Sequence, residues 1–240
     1  VFAAGFDRPN IRYHILPKTD PRRQLLRFIR DEHTGDSGIV YRTTRRDAEK
    51  TADWLCKQGI KALPYHAGLE GPMREAHMNR FMRQEGVVIC ATVAFGMGVD
   101  KPDVRFVAHL DPPKSLEAYH QETGRAGRDG IKGHCLLFYS PDDINKLDKF
   151  NKDKPVAERD NARHLLREIA DYSESTVCRR LQLLHYFGER YELSSCGKEG
   201  KCNNCEPPSE GLFEGKEYIK IALEAVQQTE TRFDREHIIR

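Results

Sequence analysis

Between residues 11 and about 150, apolar positions alternate between two rhythms. Short β-branched and aromatic runs read as strands: IRYHIL (11–16), GIVYR (38–42), KALPYHA (61–67), GVVICAT (86–92), RFVAHLD (105–111) and GHCLLFY (133–139). Stretches with helical spacing lie between them, at about 21–33, 44–58, 70–84 and 115–123. The second of these is well bounded, with Thr44 as N-cap, Asp47 three residues on and Gly59 just past its end. Strand and helix in alternation predict an α/β domain, a mostly parallel sheet with helices on its faces. GVVICAT, apolar almost throughout, predicts a central strand, buried on both faces and sitting mid-sheet.

After Tyr139 the pattern turns helical: SPDDINKLDKF (140–150), a polar link NKDKPVAERD (151–160), then NARHLLREIADYSESTVCRRLQLLHYFG (161–188). CEPPSEG (205–211) marks a further boundary, beyond which KEYIKIALEAVQQTETRFDREHIIR begins another helical pattern that stops short of a complete fold. The start at DRPNIRYHILP is equally abrupt, so the chain is expected to be part of a longer polypeptide. Three divisions result: 1–150, 151–210 and an incomplete 211–240.

Composition narrows the classes. With 240 residues there is room for more than one core. The 39 basic and 37 acidic residues give a net charge of +2, so a site for a polyanion must be local. At 32% charged and 38% hydrophobic, with no apolar run long enough to span a bilayer and no leader-like start, a soluble protein without membrane partners is expected. Of seven cysteines, Cys56, Cys90 and Cys135 are scattered and four crowd into 178–205, which suits a reducing, intracellular setting.

A sheet that hydrolyses nucleotides by itself carries G-x-x-x-x-G-K-[ST] and an acidic magnesium ligand at a strand end. Neither occurs. RDEHTG (30–35) has the composition of an acidic helicase box, but it ends an amphipathic run and is set aside. H-E-x-x-H, G-x-S-x-G and G-x-G-x-x-G are also absent, which removes self-contained metalloprotease, hydrolase and dinucleotide chemistry.

EAYHQETGRAGRDG (117–130) places Arg125 and Arg128 three positions apart among Gly124, Gly127 and Gly130. Planar guanidinium groups suit charge developing on phosphoryl oxygens, and glycines let a second surface approach. Alone, the run reads more simply as a solvated basic turn. Its company changes that. YHQETGRAGRDG, ICATVAFGMGVDKPDVRFVAHLD (89–111), YHAGL (65–69) and GIVYRTTRRDAEKTADWL (38–55) resemble, in order and spacing, the motifs of the second RecA-like domain of superfamily-two helicases, and most closely the RecQ family. The resemblance implies a RecA-like parallel sheet with helices on both faces. It further implies that Arg128 is the arginine finger, with Arg125 and Gln121 in the same cleft. ATP and Mg²⁺ would be held mainly by an N-terminal lobe, with Asp100 and Gly98 on this side, Gly96 also allowing close approach. Asp100 reads equally as a loop cap before Pro102.

Arg42, Thr43, Thr44, His66 and Thr92 fall at the C-terminal ends of predicted strands, where an open α/β sheet places its ligand crevice. They are candidate DNA-backbone contacts. Thr44 also serves as a helix cap, and His66 reads equally as an internal hydrogen-bonding residue.

Cys178, Cys196, Cys202 and Cys205 follow C-x17-C-x5-C-x2-C. Four thiolates close a tetrahedral shell, for which zinc is the leading metal, ahead of two disulfides or unrelated thiols. With no open coordination position, one structural zinc per chain is expected. CRRLQLLHYFGE resembles the opening of the RecQ zinc-binding subdomain, with the first ligand in a helix. Arg179 and Arg180 are then candidate DNA contacts, or a solvated helix face. Residues 211–240 match where a winged helix begins in that family.

The resemblance thus implies the C-terminal lobe of a 3′–5′ ATP-dependent DNA helicase of the RecQ type. As the resemblance implies, it would be a monomer acting on single-stranded and branched or forked duplex DNA, in the bacterial cytoplasm or nucleoid or in a nucleus. The alternatives are a non-catalytic zinc-containing DNA-binding adaptor with a degenerate lobe, or an RNA helicase.

Overall fold

A computed structural model describes residues 5–95, 99–192, 196, 202–206 and 216–228. Strands β1 (Ile11–Pro17), β2 (Ser37–Tyr41), β3 (Ala62–Tyr65), β4 (Val88–Ala91), β5 (Val104–His109) and β6 (Gly133–Tyr139) form one sheet in the order β1-β6-β5-β2-β4-β3. Every pairing is parallel. The strands start and stop within two or three residues of the apolar runs that predicted them. β4 is buried at all four residues and lies one place in from the β3 edge.

Helices α1 (Pro21–Glu32) and α2 (Arg45–Lys57) cover one face of the sheet. Leu25, Phe28, Ala52 and Leu55 pack there on Val40, Cys90, Phe106 and Leu136. On the other face, Phe81 of α3 (Gly71–Arg83) and Tyr119 of α4 (Leu116–Thr123) pack on Ile39, Ile89, Val107 and Leu137. The alternation of these strand residues between the two faces follows from the period of two in a β-strand. Thr44 caps α2 as expected, its Oγ1 accepting the Asp47 N–H at 3.1 Å. Gly38 is required by packing: a Cβ there would meet the Phe106 ring at 2.1 Å.

Helices α5 (Pro141–Lys149), α6 (Val156–Glu174) and α7 (Arg179–Tyr186) follow. Leu166, Ile169, Tyr172 and Leu183 join the same apolar cluster as Tyr13 and Tyr119, so the helical segment continues the core of the sheet domain. Two sequence readings need correction here. The expected link 151–160 is helical from Val156, because Pro155 in extended geometry launches α6 and Val156–Asp160 propagate it. The long helical stretch also breaks at Ser175, which is extended and whose Oγ accepts the Val177 N–H at 3.1 Å, a local bond that competes with helix. Cys178 therefore precedes α7 as its N-cap residue and does not lie within a helix.

Residues 1–205 form one compact unit and 206–240 another, of which the described part is α8 (Lys216–Gln228). Among the described residues no helix is long and apolar enough to cross a membrane.

Candidate functional site

The run from Gly124 to Ile131 is a series of turns that begins where α4 ends. Gly127 and Gly130 take φ of +57° and +81°, in the left-handed region that favours glycine. The two arginines consequently part company. Arg128 is exposed, and its Nη1 donates to Asp100 Oδ1 at 2.8 Å. Asp100 is itself exposed, as is Gln121. Gly96 and Gly98 lie outside the described residues. Arg125 is buried, and its charge faces the hydroxyl of Tyr41.

Beneath Arg125 lies a buried polar chain that sequence reasoning missed. His109, at the end of β5, meets Glu122 Oε2 through Nε2 at 2.8 Å and stacks on Tyr41 at 5.0 Å. The Tyr41 hydroxyl donates to the carbonyl of Phe95 at 2.9 Å. Burial, and then the Glu122 carboxylate, push the Tyr41 pKa up, while Arg125 opposes them. The chain joins the end of β2 to the loop after β4 and to the arginine run. Its only signal in the sequence was a histidine and a glutamate within otherwise buried elements.

At the C-terminal ends of β2, β4 and β5 a cavity of about 400 Å³ is lined by Arg42, Thr43, Thr44, Val93, Lys114 and Phe150, among others. Asp111 organises it: its carboxylate takes Arg42 Nε at 3.2 Å, Lys18 Nζ at 3.0 Å and the Thr43 N–H at 3.1 Å. Burial alone would raise the Asp111 pKa, but the Arg42 and Lys18 cations and the Thr43 N–H together hold it below the ordinary value. Arg42 and Thr43 thus sit where strand-end contacts were expected. His66 and Thr92 do not offer exposed side chains. His66 is 2% exposed, with Nε2 on Glu49 Oε1 at 3.0 Å, so its internal hydrogen-bonding role is the one observed. Thr92 is also buried.

Arg179 and Arg180 require a firmer correction, because neither is a DNA-facing or solvated side chain. Arg179 is 4% exposed and donates to the carbonyls of Tyr172 and Ser173. Arg180 is 6% exposed, donating to Asp7 Oδ1 at 3.1 Å and to the carbonyls of Pro9 at 3.2 Å and Ile11 at 2.6 Å. Five-donor guanidinium groups here satisfy main-chain acceptors that would otherwise be orphaned.

The four clustered cysteines converge, their sulfurs all within 4.8 Å of one another. Cys202 Sγ stands 3.9 Å from Cys178 Sγ and 4.0 Å from Cys196 Sγ. Zn–S bonds of roughly 2.3 Å place tetrahedral sulfurs about 3.8 Å apart, whereas a disulfide needs about 2.05 Å. The donor set and spacing fit a closed zinc shell. Hydrogen bonding from Cys178, against the cost of burial, pulls the Cys202 thiol toward its thiolate, and the Arg179 N–H, 3.4 Å from Cys202 Sγ, adds to this.

The structure thus defines a parallel α/β lobe that carries a convergent thiol cluster able to hold a metal ion. The family model "Helicase conserved C-terminal domain" matches residues 20–130, and "RecQ zinc-binding" matches residues 141–206. "ATP-dependent DNA helicase RecQ" of Haemophilus influenzae is 43% identical over 225 residues, covering 91% of this chain and 35% of that protein. "RecQ-like DNA helicase BLM" of Xenopus laevis is 44% identical over 85% of this chain and 16% of its own length. The chain belongs to the RecQ family. It spans about a third of the bacterial relatives, at 35% and 34% of their lengths. The solved structure of S. cerevisiae Dbp5 bound to RNA and ADP BeF3 shares the fold, with a TM-score of 0.51 at 22% identity over 68% of this chain and 46% of that one.

Proposed function

We propose that this chain is the C-terminal motor lobe of an ATP-dependent 3′–5′ DNA helicase, working as a monomer with an N-terminal RecA-like lobe of the same polypeptide. The observation that carries the reading is Arg128: an exposed guanidinium on a glycine-shaped loop, held among the described residues by an exposed carboxylate. An arginine so placed can swing to the terminal phosphate of ATP–Mg²⁺ when a second lobe closes, neutralising charge on the phosphoryl oxygens. Asp100 and Gly98 would border the nucleotide and Gln121 the same cleft, while Arg125 supports the loop from within. Hydrolysis then depends on lobe closure, which converts turnover into movement along the strand.

Single-stranded DNA, and the single-stranded arm of a branched or forked duplex, would cross the strand ends near Arg42 and Thr43, with phosphates as the main contacts. One zinc on Cys178, Cys196, Cys202 and Cys205 would be structural, having no vacant position for a substrate. Residues 1–150 would be the motor lobe, 151–210 the zinc-binding part and 211–240 the start of a winged helix. The relatives named as DNA helicases in bacteria and animals support an intracellular setting.

The test needs both lobes. With the N-terminal lobe present, Arg128→Ala should lower DNA-stimulated ATP hydrolysis by about 10³-fold or more while DNA affinity stays within about twofold. Rapid turnover by residues 1–240 alone, or full activity in Arg128→Ala, would overturn the reading.

A further inference from the structure

The arginine loop is gripped by residues that stand before the first strand. At the end of α4 and along the turns after it, carbonyls are left without helical partners. Three of them converge on Arg8. Its Nη1 donates to the Gly124 carbonyl at 3.0 Å, and its Nη2 donates to those of Ala126 and Gly127, each at 3.0 Å. Asn10 Nδ2 adds the Gly127 carbonyl at 2.7 Å and the Ile131 carbonyl at 2.8 Å. A rigid planar fork is the side chain able to satisfy several such acceptors at once, and its charge suits the negative end of α4. Gly127 completes the fit: a Cβ there would lie 2.6 Å from Asn10 Nδ2 and 2.4 Å from the Ile131 carbonyl.

The grip is anchored on both sides. Asn10 accepts the Gly133 N–H through its own carbonyl at 2.9 Å, just where β1 begins to pair with β6. Behind the segment, Arg180 of α7 holds Asp7, Pro9 and Ile11, and Phe6 stacks on Phe187 at 4.7 Å. Across the loop, the Gly127 N–H reaches the Val104 carbonyl at 2.8 Å and the Asp129 N–H the Pro102 carbonyl at 3.3 Å. Arg128 therefore projects from a loop whose main chain is fixed from two directions, and Arg8 and Asn10 form one of the two.

We propose that Arg8 and Asn10 are positioning residues for catalysis, setting the place of the Arg128 guanidinium without touching nucleotide; this rests on the reading of Arg128 as the arginine finger. A displacement of about 1 Å in a group that must meet a transferring phosphoryl costs on the order of 10²-fold in rate. Arg8 and Asn10 supply five of the bonds that prevent it. Nothing in their distance along the chain, more than a hundred residues from the loop, announces the role.

The experiment compares Arg8→Ala, Arg8→Lys and Asn10→Asp in a protein carrying both lobes. Asn10→Asp keeps the shape and removes the amide donor. Expected are a fall in kcat of about 10- to 100-fold for Arg8→Ala and Asn10→Asp, an ATP KM within about twofold of the parent, and partial rescue by Arg8→Lys. In residues 1–240 alone, amide exchange within 124–131 should accelerate by about tenfold or more, with bound zinc unchanged. If Arg8→Ala loses zinc or melts, Asn10→Asp decides the matter. Parent-like kcat and exchange in the variants, while Arg128→Ala is inactive, would overturn the inference and spare the finger; an active Arg128→Ala would remove the finger itself.

Discussion

Two of the chain's arginine pairs, at 125 and 128 in the turn after α4 and at 179 and 180 at the start of α7, have been put to different uses. Arg128 reaches outward to Asp100, whose side chain is 82% exposed. Arg179 and Arg180 are turned inward and spend their donors on main-chain carbonyls. Arg125 is buried like the second pair although it shares a motif with Arg128, but its charge faces the Tyr41 hydroxyl and not main-chain carbonyls. The difference lies in available acceptors. Where a chain crossing leaves carbonyls unpaired in the interior, a guanidinium is drawn in and becomes structure. Where the nearest acceptor is one exposed carboxylate, the charge stays free to serve an incoming ligand.

The largest effect expected of the region around the second pair comes from the metal. Structural zinc contributes roughly 10 kcal/mol or more of apparent free energy in small peptide domains, which is far beyond what any one arginine supplies. Metal analysis of the purified chain should return one zinc, and Cys202→Ser should return none, with protease cleavage spreading through 178–205. A stable, zinc-free Cys202→Ser protein would break the comparison, since the α7 arginines would then be holding that region on their own.

Next in size is the loss of an inward arginine. Arg179→Ala strands the Tyr172 and Ser173 carbonyls and removes a cation stacked 5.6 Å from the Tyr172 ring. Burial already works against its charge, holding its pKa below the ordinary value. A cost of about 2 to 4 kcal/mol is expected in urea unfolding. Arg128→Ala, measured the same way, should stay within about 0.5 kcal/mol of the parent. Equal costs at the two positions would show that exposure and partner type do not separate the roles.

These differences set what could be read from the sequence. GHCLLFY matched β6 at both ends because the apolar run Cys135–Tyr139 is closed by Ser140 and opened by Gly133 and His134, and the four cysteines declared themselves because thiol spacing carries its own chemistry. The onset of α6 was hidden in polar residues that fit helix or link alike, and was decided by Pro155. The burial of Arg180 was hidden more deeply, since its acceptors lie 169 to 173 residues earlier in the chain. Local pattern identifies elements and ligand sets; it does not say which side of a charged helix end will meet another part of the chain.

The smallest effect is the sharpest test of the division. Asp100→Asn removes the carboxylate that pairs with Arg128, and Asp7→Asn removes the carboxylate on Arg180, so the two changes are chemically the same. The Asp100 pair is screened by water on both sides and should contribute at most about 0.5 kcal/mol. Asp7 is 35% exposed and its partner 7%, and the bond joins a helix to the segment before β1, so about 1 kcal/mol is expected there. Arg180 keeps its two carbonyl acceptors in the variant and stays in place, which caps the loss. Urea midpoints of the two variants against the parent read this directly: a larger shift for Asp100→Asn than for Asp7→Asn would mean that the Arg128 loop depends on its carboxylate for structure, and Arg128 could not then be the freer of the two cations.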